Sequence, residues 1–222
     1  MTGRCNAITF SVGLQRIFPG KLLDPDGPCQ ARAAGIVLGR LHRALAEYPR
    51  SDAIARTTSI TSMSSGWPPD DIDEPTLASA ISAADHLAAG VAADGVATQL
   101  INTDFRAANI LWHDERISAV LDLEETRPGR RVEDVAWSTV HLGTGYHHWR
   151  PISSAARAEF LAGYGQEVVL GKVERGWLRL LILRGSIQSA ARALGSPNEQ
   201  PWLASVRSML PGEGARGADP VT

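Results

Sequence analysis

Three polar residues are spaced in a way that can do chemistry. Asp104 is followed five residues later by Asn109, and Asp122 lies 13 residues beyond Asn109. Two carboxylates and an amide oxygen are hard donors of the kind that suits Mg²⁺. In phosphoryl transfer an Asp accepts or orients the substrate hydroxyl. An Asn five residues on and a later Asp then hold the metal ions that bridge the phosphates. The spacing therefore predicts Asp104 as the base and Asn109 and Asp122 as metal ligands. A capped turn beside an exposed hairpin Asp would use the same residue types, but the flanking apolar strands and the intervals both fit a metal site.

The elements around these residues must bring them together. Val96 to Ile101 is a short apolar run and reads as a buried strand that ends just before Asp104. Asn109 to Trp112, a turn at His113-Asp114-Glu115-Arg116, and Ile117 to Leu123 read as a hairpin. A hairpin joins the open ends of its arms, so Asn109 and Asp122 are expected side by side with Asp104 close by. Upstream, Ile8, Phe10, Val12 and Leu14 alternate as in a half-buried strand, closed by Pro19-Gly20. A helix is expected from about Gln30 to Tyr48, with Val37, Leu41, Leu45 and Tyr48 on one face. Residues 51–74 read as a long loop, and Asp73 with Pro75 as the start of a second helix. Further helices are expected over 131–142, 153–165, Val173–Leu194 and Trp202–Leu210.

These motifs resemble the catalytic half of the aminoglycoside phosphotransferase and choline-kinase-like group, a branch of the protein-kinase-like fold. Asn102-Thr103-Asp104-Phe105-Arg106-Ala107-Ala108-Asn109-Ile110-Leu111 is similar to the group's catalytic loop, usually His-Gly-Asp-Phe-His-x-x-Asn-Ile-Leu. Val120-Leu121-Asp122-Leu123-Glu124 resembles its metal-binding strand end, and Glu133-Asp134-Val135-Ala136 its helix start, whose Asp braces the catalytic loop. Leu41-His42 and Phe160-Leu161-Ala162-Gly163-Tyr164 fit further helices of the group. Asn102 and Thr103 depart from its His-Gly.

The resemblance implies an α+β chain, the mostly helical large lobe of such a fold with a short hairpin and the small lobe largely missing. Residues 1–28 would be a remnant of the small lobe and hinge, 29–210 the large lobe, and 211–222 a disordered tail. It implies ATP and Mg²⁺ as cofactors and a small-molecule hydroxyl as acceptor, aminoglycoside-like or another small alcohol. A truncated, non-catalytic module is the alternative, favoured by the missing strand lysine. A metal-dependent hydrolase ranks last, for want of a second acidic or His cluster. Weak nucleotide binding is expected of the chain, together with self-association or a separate chain that supplies the small lobe.

Composition narrows the field. The 222 residues are 44% hydrophobic and 21% charged, ordinary for a globular chain with a sizeable core. Net charge is −2, with no basic footprint for nucleic acid. No apolar run is long enough to span a membrane, and Met1-Thr2-Gly3-Arg4-Cys5 shows no leader, so a cytoplasmic location is expected. Cys5 and Cys29 alone make no disulfide framework. Of the 22 basic residues only Lys21 and Lys172 are lysines. Lys21 follows a Pro-Gly turn and is not expected on a strand, so the phosphate-pairing cation would be an arginine such as Arg4 or Arg16, or come from another chain. Asp134 is expected to be structural, by bracing or capping. Glu124 could serve the site or simply be an exposed strand-end acid. His42 is expected buried and satisfied, and His113, His147 and His148 exposed.

Overall fold

The computed structural model describes residues 17–49, 73–92, 96 and 98–210. The expected strand at Ile8–Leu14, most of the 51–74 loop, the tail 211–222, Arg4 and Arg16 lie outside the described residues. Six helices and two small sheets make up the rest. They are β1 (Lys21–Leu22), α1 (Pro28–Glu47), α2 (Pro75–Ala89), β2 (Thr98–Ile101), β3 (Ile110–His113), β4 (Arg116–Val120), β5 (Arg127–Arg130), α3 (Arg131–His141), α4 (Ser154–Glu167), α5 (Lys172–Ala193) and α6 (Glu199–Arg207). The architecture is α+β and mostly helical, as the sequence implied.

α1 and α4 pack through small residues. A Cβ at Gly35 would collide with the Phe160 carbonyl, and one at Gly163 with the Arg32 carbonyl. This close approach decides which face of α1 is buried. Ala31, Ala34, Leu38 and His42 point inward, while Tyr48, expected on the apolar face, is exposed. Val37 and Leu41 are only partly buried. Arg32–Glu159, Arg40–Glu167 and Arg43–Glu167 line the rim of the seam. Such exposed pairs contribute only about 0–1 kcal/mol each. The seam itself should dominate: Gly163→Ala is expected to lower unfolding free energy by about 1–3 kcal/mol, the usual range for overpacking. Urea denaturation checks this, and an unchanged midpoint would contradict the close packing.

α5 is the central helix. It packs against α2, α3 and α6 and buries residues around much of its circumference, among them Leu178, Leu181, Leu183, Ile187 and Ala190. Its Leu residues are core, and Trp177 is partly buried against it. α2 starts at Pro75 as expected, but the cap is Glu74, whose carboxylate accepts from Leu77 N at 2.8 Å.

The hairpin β3–β4 pairs Ile110 with Val120 and His113 with Arg116, with a bulge after Leu111. Asp114 and Glu115 form the turn with φ of 47° and 60°, the positive pair that a two-residue hairpin turn demands. The return arm ends at Val120 rather than Leu123, because Asp122 turns into the left-handed region with φ 57°. β1 adds to the other side of β3, with Lys21 opposite Trp112. Lys21 thus does lie on a strand, contrary to the turn reading. β2 pairs with β5, Thr98 opposite Arg130 and Ile101 opposite Arg127. β5 is Arg-Pro-Gly-Arg, a sequence that reads as a turn. It pairs along one side only, where proline is tolerated.

Candidate active site

The loop from Asn102 to Asn109 joins β2 to β3 and is held from three sides. The first hold is Asp134 in the opening turn of α3, only 1% exposed. Its carboxylate accepts from Asn102 N at 2.8 Å and Thr103 N at 3.0 Å. His42 Nε2 lies 2.9 Å from the same carboxylate, and Tyr164 Oη lies 2.9 Å from His42 Nδ1. Burial raises the Tyr164 pKa, so its hydroxyl keeps its proton and donates to Nδ1. Nε2 then carries the ring proton and donates to Asp134. His42 is buried and satisfied, and Asp134 braces the loop. The start of α3 is itself anchored by Arg131, which donates to both oxygens of Glu174 at 2.6 and 2.8 Å.

The second hold is at the loop's middle, where Ala107 N donates to Leu142 O at 3.0 Å. The third is the hairpin: Leu121 N donates to Asn109 O at 2.7 Å. Thr103 sits at φ 73°. This left-handed backbone explains why a Gly belongs at this position, since a side chain there costs about 1–2 kcal/mol. The Thr103 hydroxyl offsets part of the strain by donating to Glu125 O at 3.1 Å. Asn102, where a His was expected from the resemblance, caps the turn instead: its Oδ1 accepts from Asp104 N at 3.0 Å.

Asp104 and Asn109 meet directly. Asn109 Nδ2 donates to Asp104 Oδ2 at 2.7 Å and to Asp104 O at 3.0 Å. The amide therefore spends its nitrogen on Asp104 and keeps Oδ1 as an acceptor for a hard cation. Asp122 is exposed and follows Leu121, the residue that bonds Asn109 O. The backbone thus brings all three residues to the hairpin's open end, although Asp122 makes no hydrogen bond to the other two. Among the described residues no three His, Cys, Asp or Glu side chains converge as a metal cluster. The candidate donor set is two carboxylates and one amide.

Sequence reasoning missed Arg106 and Glu133. Arg106 Nε donates to Asp104 Oδ2 at 3.1 Å and lies 2.8 Å from Oδ1; its place two residues after Asp104 was the available signal. Glu133 is buried with neither carboxylate oxygen hydrogen-bonded, and burial raises its pKa against the opposing pull of Arg127 and Arg130. Glu124, His147 and His148 are exposed. His113 is half-buried, 3.2 Å from Asp114.

His141, at the end of α3, packs against Trp137 and Trp202. Burial, helped by Arg192 and Arg106, pushes its pKa down to about 4. The unfolded chain takes up this proton near pH 6.5 and the folded chain only near pH 4, so stability is lost as pH falls through that window. The loss is on the order of 3 kcal/mol at most. Glu133 acts in the opposite sense, so the contribution is isolated by comparison with His141→Phe, whose stability should fall less between pH 6.5 and 4. Parallel pH curves from urea denaturation would contradict it.

The fold is shared with small-molecule kinases and phosphotransferases of known structure. A microcompartment-associated aminopropanol kinase superposes with a TM-score of 0.59 at 15% identity, over 85% of this chain and 61% of that one. A choline/ethanolamine kinase family protein from Mesorhizobium loti gives 0.57 at 14% identity, over 87% and 67%. A thermostable mutant of aminoglycoside phosphotransferase APH(4)-Ia, solved with ADP and hygromycin B, gives 0.59 at 15%, over 90% and 72%. The chain thus spans less than two thirds of the aminopropanol kinase. No curated protein sequence matches it. The chain belongs to the phosphotransferase enzyme family, whose model matches residues 11–183.

Proposed function

We propose that the protein transfers the γ-phosphoryl group of ATP to a hydroxyl of a small molecule, with Asp104 as base and Asn109 and Asp122 as Mg²⁺ ligands. The observation that carries the reading is the 2.7 Å contact between Asn109 Nδ2 and Asp104 Oδ2, on a loop pinned by buried Asp134. Asn109 Nδ2 and Arg106 Nε together orient the carboxylate, and its remaining lone pairs can accept a hydroxyl proton. Bound Mg²⁺ would neutralise the charge that develops on the phosphates. In the transfer, the acceptor oxygen bonds to the γ-phosphorus while its proton passes to Asp104. The bond from the γ-phosphorus to the β,γ-bridging oxygen breaks, and ADP leaves with the electron pair.

The acceptor class follows from the family and its relatives: an amino alcohol, an aminoglycoside or a similar small alcohol. No helix among the described residues is long and apolar enough to cross a membrane, and a cytoplasmic site of action fits an ATP-dependent enzyme. The experiment is ATP-dependent phosphorylation of a panel of aminoglycosides and small amino alcohols by the full chain, read by ADP release and product mass. ADP release matched by a phosphorylated product supports the reading. Nucleotide-independent behaviour with every acceptor would sink it and favour the non-catalytic module.

A further inference from the structure

Arg131 spends its guanidinium on Glu174, and Arg32 and Arg40 spend theirs on Glu159 and Glu167. Arg157 does not follow them. It stands in the first turn of α4, and its guanidinium reaches across to α6, where one terminal nitrogen (Nη2) donates to Ser205 Oγ at 2.8 Å. That hydroxyl is its one side-chain partner among the described residues. Nε is buried with no partner, and no carboxylate among the described residues offsets the charge. Burial alone pushes the pKa down to about 10, so the group is still a cation at neutral pH.

An ionised group taken out of water needs a counter-charge, and a neutral serine supplies none. Packing of the methylene stem would not need a guanidinium at its tip. The polar groups around it are donors too. Trp202 lies one turn before Ser205 on the same face of α6, and its indole N–H is buried without an acceptor. Ser205 is itself buried. Its oxygen accepts from Arg157 and it still has its hydroxyl proton to give. Unspent donors with no carboxylate among them suit an oxyanion and disfavour a cation. Arg157 is only partly buried, so the place can be reached from solvent.

We propose that Arg157 and Ser205 form a binding site for a small oxyanion, phosphate or carboxylate, at the junction of α4 and α6, with the indole N–H of Trp202 as a further donor. The planar edge of the guanidinium suits two oxygens of one anion. The site shares no residue with Asp104, Asn109 and Asp122, so it does not depend on the phosphotransferase reading.

The test titrates the full chain with sodium phosphate, sodium acetate and sodium chloride in the millimolar range. The buffer holds no Mg²⁺ and ionic strength is constant. Tryptophan fluorescence and the melting midpoint are followed together. Trp202 packs on Trp149 with ring centroids 5.4 Å apart, so an anion at this place should change the emission. Phosphate should give a saturable change in emission and a rise in midpoint, and chloride neither. Arg157→Met should remove both responses. Arg157→Lys, which keeps the charge and loses the fork, should bind phosphate about tenfold more weakly; it also serves if the Met variant does not fold. Saturation by acetate as well extends the site to carboxylates, and saturation by phosphate alone assigns it to phosphoryl groups. A wild type with no saturable response overturns the site, as does either variant titrating like the wild type.

Discussion

Asp104→Asn should lower phosphoryl transfer by about 100- to 10,000-fold, the range a general base supplies, with the fold intact. Asparagine keeps the shape and one oxygen for Arg106 or Asn109, but it cannot accept the hydroxyl proton. The side chain is 20% exposed, so water can satisfy whatever the amide leaves unpaired. The melting midpoint should therefore stay close to that of the wild type. Turnover and thermal unfolding, measured on the same preparation, separate the two effects. An unchanged turnover in a folded variant removes Asp104 from the mechanism.

Asp134→Ala should have the largest effect on stability. It strands three donors, His42 Nε2, Asn102 N and Thr103 N, in a site where His42 and Asp134 are each 1% exposed and Asn102 is fully buried. Each buried donor left unpaired costs about 1–3 kcal/mol. Together these losses are a large share of the roughly 5–15 kcal/mol a typical domain has. Thr103 would also lose the bond that holds it at φ 73°, so the loop should loosen even where the variant folds. Urea denaturation gives the loss. The double variant with His42→Leu should cost less than the sum of the singles, because the two side chains share one hydrogen bond. Strict additivity, or a fully stable Asp134→Ala, would contradict the bracing role.

The Asp104–Asn109 contact was legible because its interval is short and the loop between them is local. Asp134 and His42 were legible only through resemblance: they lie 92 residues apart in sequence, and no periodicity links them. The buried face of α1 was misread because hydrophobic spacing weights Val37, Leu41 and Tyr48. What decides the face is how closely Gly35 and Gly163 let two backbones approach, and small residues leave no hydropathy signal. β5 was missed because Pro128 and Gly129 are strand breakers, and only its partner β2 makes it a strand. Arg106 and Glu133 looked like ordinary solvated charges. Arg106 meets Asp104 from two residues away, a local signal that was overlooked, whereas Glu133 is taken out of water by packing that no local pattern shows.

The most direct measurement is thermal unfolding of the full chain with ATP raised to millimolar levels, with and without Mg²⁺, for the wild type and Asp122→Ala. A ligand at 100 times its dissociation constant stabilises by about 2.7 kcal/mol, so even weak binding moves the midpoint. The expected result is a rise in midpoint that needs both ATP and Mg²⁺ and is lost in Asp122→Ala. A rise of equal size without Mg²⁺, or one that survives in Asp122→Ala, would contradict a metal-nucleotide site at Asp104, Asn109 and Asp122.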